Sequence, residues 1–384
     1  MSLSCKIANR LYYFHLLQRI IIIPKTSTMK SYIFFMLIAL GLVSSCKQGN
    51  SSSLGGLSSV LPSSTGGADE IMFILPDNLY TSATKKAISN EFNKEYRILP
   101  QPELKFNISK VEYSMVNSLM YRFRNIVLLA NTSNESAILA MAKEILSEEQ
   151  FEKLASGKQK TFILRNIWSK PQNVVFIFGN DENDLQANLV SSAPSIMDHI
   201  AKTDLDEYKK IAYINGVNGK LNEQWKEYYN IQLDIPTEYK LAENKGSFIS
   251  LRKEIPKGII FIFFDIISYS GNVPDVNYGI KMRNERGIFV NSPNENSYMI
   301  TDSTLGFQFN KTIGDQVIKY ETSGLWRMEN DYMGGPFINQ YIIDEANNRV
   351  ILLDGFIYAP GENKKKRYMR QLEGIFSTLK LLES

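Results

Sequence analysis

The side chains best suited to proton, electron and metal chemistry are scarce in this chain. Its 384 residues include two Cys and two His, at Cys5, His15, Cys46 and His199. Cys5 and His15 fall in an N-terminal stretch that reads as a removable leader, and Cys46 reads as an acylation site. The folded body is then left with His199 alone. That arithmetic excludes an intramolecular disulfide, a Cys/His zinc site and a Cys–His catalytic pair. A Ser–His–Asp triad would have to use His199. Its neighbour Asp198 cannot orient the imidazole as a triad Asp does, and no Gly-x-Ser-x-Gly elbow is present. No catalytic residue, metal or cofactor is therefore expected. Forty acidic residues leave paired-carboxylate hydrolysis open, but spacing singles out no pair.

Binding chemistry has more candidates. Met333-Gly334-Gly335-Pro336-Phe337 lies between two strand-like runs. Its glycines could expose N–H groups to an anion, although the plainer reading is a tight connection needing φ > 0. Trp326 and Arg327, with Asp331 beyond them, could stack on a sugar or peptide ring. Strand alternation turns one of the pair inward, which favours Trp326 in the core and an Arg327–Asp331 pair across the hairpin. The dipeptides Arg124-Asn125 and Arg283-Asn284 suit a carboxylate or phosphate; structurally they read as a solvent-facing strand position and a helix surface. Trp326, Arg327, Asp331, Gly334, Gly335, Arg283 and Arg124 thus form the candidate binding set. Lys364–Arg367 places four cations at the start of the last helix, where the macrodipole opposes them, and reads as a solvated face.

The N-terminus has its own logic. From Met29 the order is Lys30, an apolar run from Tyr32 to Val43, then Val43-Ser44-Ser45-Cys46. A run of that length is too short to span a bilayer and has the order of an export signal. Val-Ser-Ser-Cys resembles the bacterial lipobox, which predicts removal of 1–45 and a diacylglyceryl group on Cys46. Buried methylenes at about 0.8 kcal/mol each then hold the protein to the membrane. Lys47, with no acidic cluster after it, predicts an outer-membrane lipoprotein whose body faces the periplasm. Residues 1–28 do not continue into this signal, and the expected translation start is Met29. All five cations of 1–45 leave with the leader. The formal charge of +3 then becomes slightly negative, with no global pull on nucleic acid.

Residues 46–67, rich in Ser and Gly, read as a flexible tether. A first domain is expected over 68–228 as a mixed α/β layer. Its strands are expected near 71–75, 105–113, 124–130 and 174–178. Its helices are expected over 81–92, after Ser133, and over 181–213 with a break at Pro194. A second domain, 229–384, is expected as an antiparallel meander with strands at 298–301, 307–310, 317–321, 325–329, 337–343 and 350–358. A helix is expected near 276–286. The amphipathic helix 364–382 closes the chain, with Tyr368, Met369, Leu372, Ile375 and Phe376 on one face. The fold class is α+β, as two α/β domains, the C-terminal one an antiparallel sheet covered by helices.

Larger blocks carry a resemblance. Leu99–Glu103 (LPQPE), Phe123–Ile126 (FRNI), the Trp168…Gln172-Asn173-Val174-Val175 segment, Ser297–Asp302 (SYMITD), Gly324–Phe337 (GLWRMENDYMGGPF), Leu353–Pro360 (LDGFIYAP) and Lys365–Ile375 (KKRYMRQLEGI) together resemble a Bacteroidetes family of periplasmic lipoproteins known as a domain of unknown function. The resemblance spans nearly the whole chain after Cys46, and it carries over no catalytic residue because none is established for that family. The closing strand–helix pattern is also similar to α/β/α sandwiches of the photosystem-accessory and nuclear-import-factor type, an analogy of fold alone. The expected role is a non-enzymatic binding or envelope-maintenance lipoprotein. It is held to the membrane through its lipid and meets a protein or small-ligand partner. The alternatives are a carboxylate- or Arg-based enzyme on envelope glycan or lipid, and a structural subunit of an outer-membrane complex.

Overall fold

Apolar runs that are buried on both sides must lie between two layers, and the two longest-buried groups of strands build two separate sheets. The computed structural model describes residues 61–271, 274–313 and 317–382. The leader, Cys46 and most of the expected tether lie outside these.

The first sheet has five strands in the order β2-β1-β3-β5-β4. These are β1 (Glu70–Leu75), β2 (Asn107–Glu112), β3 (Asn125–Asn131), β4 (Thr161–Arg165) and β5 (Asn173–Gly179). β1, β2, β3 and β5 are parallel, and β4 is an antiparallel edge. Every residue of β3 and β5 is buried, as central parallel strands require. Ile71, Phe73, Val127 and Val175 face α1 (Ser82–Phe92) and α4 (Glu182–Ala212). Met72, Ile74, Leu128 and Phe176 face α2 (Ala137–Ile145) and α3 (Glu148–Ala155).

Several expectations change here. The helix expected after Ser133 is capped by Ser136, which accepts the Leu139 N–H. The expected break at Pro194 does not occur, and α4 runs unbroken for 31 residues. Pro194 sits on the exposed side, and the carbonyl it leaves unpaired belongs to Val190, itself exposed, where water can reach it. The end of the expected tether is not free either. Ser63 bridges to Lys170, and Thr65 to Phe123.

The second sheet is antiparallel and eight-stranded, in the order β10-β12-β13-β14-β9-β8-β7 with β11 beside β12. It is reached through α5 (Gly219–Tyr229) and β6 (Ile231–Gln232). The strands are β7 (Lys240–Lys245), β8 (Phe248–Ile255), β9 (Gly258–Ser268), β10 (Tyr298–Asp302), β11 (Gln308–Ile313), β12 (Ile318–Glu329), β13 (Gly334–Asp344) and β14 (Arg349–Tyr358). The strands expected at 317–321 and 325–329 are one strand, because Gly324 pairs in register with Phe337 and makes no turn. One face packs on α6 (Val276–Gly287), the other on α7 (Lys366–Phe376), which is shorter than expected. A last strand, β15 (Lys380–Leu381), returns to pair β6.

Of the four cations at the start of α7, Lys364 and Arg367 are exposed as expected, but the middle two are not part of a solvated face. Lys365 and Lys366 are buried, and both backbone N–H groups donate to Glu103 Oε1, at 2.7 and 2.8 Å. The carboxylate supplies the acceptor and the negative charge that a helix N-terminus lacks. Replacing Glu103 with Ala is expected to lower unfolding free energy by about 1–2 kcal/mol. Glu103→Gln should lose less, since it keeps an acceptor. Urea titration of the two variants checks the order.

Candidate functional site

A helix with one apolar stripe normally turns its charges to water, but α7 is buried on both sides. Tyr368, Met369, Leu372, Ile375 and Phe376 pack on the second sheet, while Arg370 and Glu373 face the first half. Charges taken out of water need partners, and those partners come from elsewhere in the chain. Arg97 Nε donates to Glu373 Oε1 at 2.7 Å, and its Nη2 donates to Glu321 Oε1 at 2.7 Å. Tyr96 OH donates to the same Glu373 oxygen at 2.5 Å. Arg370 donates to Glu373 and to the Ala201 carbonyl of α4, and approaches Asp69 to 3.8 Å. Lys366 Nζ donates to the Leu104 carbonyl at 2.7 Å and lies 3.6 Å from Asp69 Oδ2. Burial alone would raise the Glu373 pKa, but Arg97 and Arg370 outweigh it and bring the carboxyl down to about 2.

Behind Asp69 lies a second carboxylate. The Asp69 N–H and Asn125 Nδ2 both donate to Asp204 Oδ2 at 2.9 Å, and Tyr208 OH donates to Asp69 Oδ2 at 2.7 Å. Arg124 reaches Asp204 at 3.6 Å and donates to Glu207 at 2.9 Å. Burial dominates at Asp204 and pushes its carboxyl up to about 6, against the hydrogen bonds from Asp69 and Asn125 and the charge of Arg124. Asp69 is 2% and Asp204 0% exposed, so this pair is closed to any substrate in this arrangement. Its work is to join β1, β3 and α4.

An open feature lies on the opposite face of the first sheet. Parallel strands are usually joined by a crossover helix. Between β2 and β3 the chain instead makes two short 3₁₀ turns, Tyr113–Met115 and Met120–Arg122. Aromatic side chains cover the sheet there in place of a helix. Between this crossover and α2 runs a cleft of about 420 Å³ lined by Tyr113, Tyr121, Trp168, Met141, Ile145 and Glu144. The Tyr121 and Trp168 rings lie 5.0 Å apart, tilted at 48°. Gln172 fixes the walls. Its Nε2 donates to the Tyr121 and Phe123 carbonyls at 2.6 and 2.9 Å, and its Oε1 accepts the Trp168 N–H at 2.8 Å. Burial, then the hydrogen bond with Tyr113, raises the Tyr121 pKa and keeps the phenol neutral. Two aromatic walls, phenolic hydroxyls and one carboxylate suit a small ligand with a flat apolar face.

Residues 218–378 match the family described as Domain of unknown function (DUF4837), and residues 64–213 match Domain of unknown function (DUF8532). Each match covers less than half of the chain, and both are to domains of unknown function. No curated protein matches it in sequence. Among solved structures it is similar to the Saccharomyces cerevisiae Ran-binding protein Mog1p, at 7% identity and TM-score 0.29, over 41% of this chain and 93% of that one. It is also similar to a STAR-related lipid transfer protein from Xanthomonas axonopodis, at 10% identity and TM-score 0.19, over 37% and 96%. Human StAR-related lipid transfer protein 5 follows at 9% and 0.16, over 47% and 95%. Overlaps this low say nothing of function.

Most of the sequence-predicted binding set lies in the DUF4837 part, and it does not line one pocket. Trp326 is buried, and its indole N–H donates to the Ile357 carbonyl at 3.2 Å. Arg283 is not on a helix surface: it is 1% exposed and donates to Asp354 Oδ2 at 2.8 Å. Its guanidinium lies 4.0 Å above the Phe337 ring, and Phe356 touches both it and Trp326. Arg327 points to the other face and pairs with Glu329, not Asp331, at 2.8 Å. Asp331 accepts the neighbouring Tyr332 N–H. Gly334 and Gly335 lie inside β13, and the turn before them has its positive φ at Asn330. Close approach is what Gly335 serves, since a Cβ there would meet the Ile357 carbonyl at 2.0 Å. In the DUF8532 part, Arg124 is buried in the Asp204 network instead of facing solvent. Among the described residues no cluster of His, Cys, Asp and Glu could hold a metal ion. The cleft escaped sequence reading because its residues come from three separated segments, although Trp168 and Gln172 stand in one of the resemblance blocks.

The raised carboxyl of Asp204 has a pH signature. In the unfolded chain it ionises near 3.8, and in the folded one near 6. Between these values the folded state holds the extra proton, so this group's contribution to stability falls as pH rises through about 4 to 6 and is level above. Asp204→Asn should abolish that slope, a change of at most about 3 kcal/mol. Urea unfolding of protein and variant across this range reads it. Parallel curves would overturn the assignment.

Proposed function

We propose that this protein is a lipid-anchored, non-enzymatic binding protein of the bacterial envelope. Cys46 carries a diacylglyceryl group after loss of residues 1–45, and the body faces the periplasm from the outer membrane. The export reading is supported by the order of Lys30, the apolar run to Val43 and Val-Ser-Ser-Cys. Among the described residues no helix is long and apolar enough to cross a membrane. The binding reading is carried by the cleft of about 420 Å³ between α2 and the β2–β3 crossover, with its tilted Tyr121–Trp168 pair. Its volume falls in the range of small-ligand sites.

Two measurements test the two parts. Replacing Cys46 with Ser should leave the protein unprocessed or in the soluble fraction. Cleavage at the same bond with recovery in the membrane pellet would overturn the anchoring. For the cleft, anilinonaphthalene sulfonate serves as an apolar aromatic probe. Trp168→Ala or Tyr121→Ala should weaken its binding about threefold to tenfold, the 0.5–1.5 kcal/mol of one aromatic contact. Trp326→Phe, in the second sheet, should not change it. Equal affinity in all three variants would remove the cleft as the site.

A further inference from the structure

The described chain enters its body at one defined place. The Lys170 N–H donates to the Pro62 carbonyl at 2.9 Å, and Arg122 Nη2 to the Ser63 carbonyl at 2.9 Å. Thr65 N–H donates to the Arg122 carbonyl, and Arg124 N–H to the Thr65 carbonyl, both at 2.8 Å. A Cβ on Gly66 would lie 2.6 Å from the Phe123 ring, so the entering backbone rests on that ring. The residues that grip the entry, 122–124 and 170, adjoin Tyr121 and Trp168 of the cleft. They also close the crossover that carries Met115 and Leu119, which are 68% and 63% exposed. Lys170 is exposed beside them.

From this juxtaposition we propose that the crossover rim, Met115 and Leu119 with Tyr121 and Trp168 behind them, docks onto the surface of the membrane that holds Cys46. The inference rests on lipidation of Cys46. Residues 47–61 separate that thiol from Pro62, and covalent geometry alone keeps the two within about 55 Å of one another. The body therefore stays close to the bilayer through an attachment beside this rim. A patch of two exposed apolar side chains is too small to hold a free protein on lipid, but a tethered one meets lipid at a high effective concentration. Tyr and Trp favour the headgroup level, Met and Leu the acyl boundary beneath it, and a Lys at the edge favours anionic lipid.

The chain offers its own reporter. Of its three Trp, Trp225 is 0% and Trp326 2% exposed, which leaves Trp168 as the one a lipid-borne quencher can approach. The full, processed protein is placed in vesicles of phosphatidylethanolamine and phosphatidylglycerol whose acyl chains are brominated near the headgroup. Contact at the depth of about 5–10 Å typical of interfacial groups should lower Trp168 emission about twofold. Trp168→Phe should remove the quenchable part. The double change Met115→Asp and Leu119→Asp should abolish quenching while membrane recovery and the unfolding midpoint stay the same. Labelling of Cys46 by a fatty-acid analogue is scored on the same sample. Label without quenching overturns the docking and leaves the anchor standing, whereas no label removes both. Quenching that persists in the double variant also overturns the proposed rim.

Discussion

The last helix is the element on which the rest of the structure depends, because it has no side left for water. Nine of the eleven residues of α7 are buried, among them Lys366, Arg370 and Gln371. An amphipathic helix covering one sheet would need only its apolar stripe. This one also lies against α4, so each charge on its second side has to be matched by a residue brought from the first half. Arg97, Glu103 and Asp69 supply that match, along with the carbonyls of Leu104 and Ala201. Buried ion pairs add little net stability over an apolar contact, yet losing one partner is costly because the other charge is stranded. The network therefore acts as a condition on assembly. The second sheet can close on α7 with its charges satisfied only once the 96–105 segment and α4 are in place.

The same accounting explains what remains open. The first sheet is covered by α1 and α4 on one face, but on the other the crossover between β2 and β3 provides no helix. Side chains of Tyr113, Phe123 and Trp168 stand in for it, with Tyr121 against the Trp168 ring. Rings tilted against one another cannot fill space as a helix does, and a cleft is left along α2. Gln172 spends its whole amide on the walls of that cleft, and this keeps an aromatic surface in a fixed shape next to water.

Periodicity found the buried central strands, because a sheet buried on both faces writes continuous apolar runs at 126–130, 174–178 and 350–353, but it passed over the edge strands β4 and β7 and the helices α3 and α5. It failed where a residue's role depends on a partner distant in sequence. Arg124 and Arg283 look like surface residues from their neighbours, and both are buried because Asp204 and Asp354 wait for them 80 and 71 positions away. Pro194 looks like a helix break, but an exposed carbonyl one turn back removes the penalty. Gly334 and Gly335 look like a turn, but they are needed because a Cβ on Gly334 would meet the Trp326 carbonyl and one on Gly335 the Ile357 carbonyl of β14. The α+β class was thus readable, whereas the pairing of charges and the location of an open surface were not, since both are properties of the packed chain.

These two halves of the picture bear on each other. Asp354 inside the second sheet and Asp204 on α4 against the first are both pushed up by burial, and the acids with shifted pKa values that the junction holds face arginines. Perturbed carboxyls often mark an active site, because catalysis needs them. Here each lies under a closed surface with its partner already bound, and the perturbation follows from two layers being pressed together. At the cleft, where solvent does reach, the lining is mostly rings, aliphatic side chains, a thioether and hydroxyls, with the single carboxylate of Glu144 among them. The shifted acids of the junction are thus a consequence of packing, and the open aromatic surface of the cleft is a separate feature of the fold.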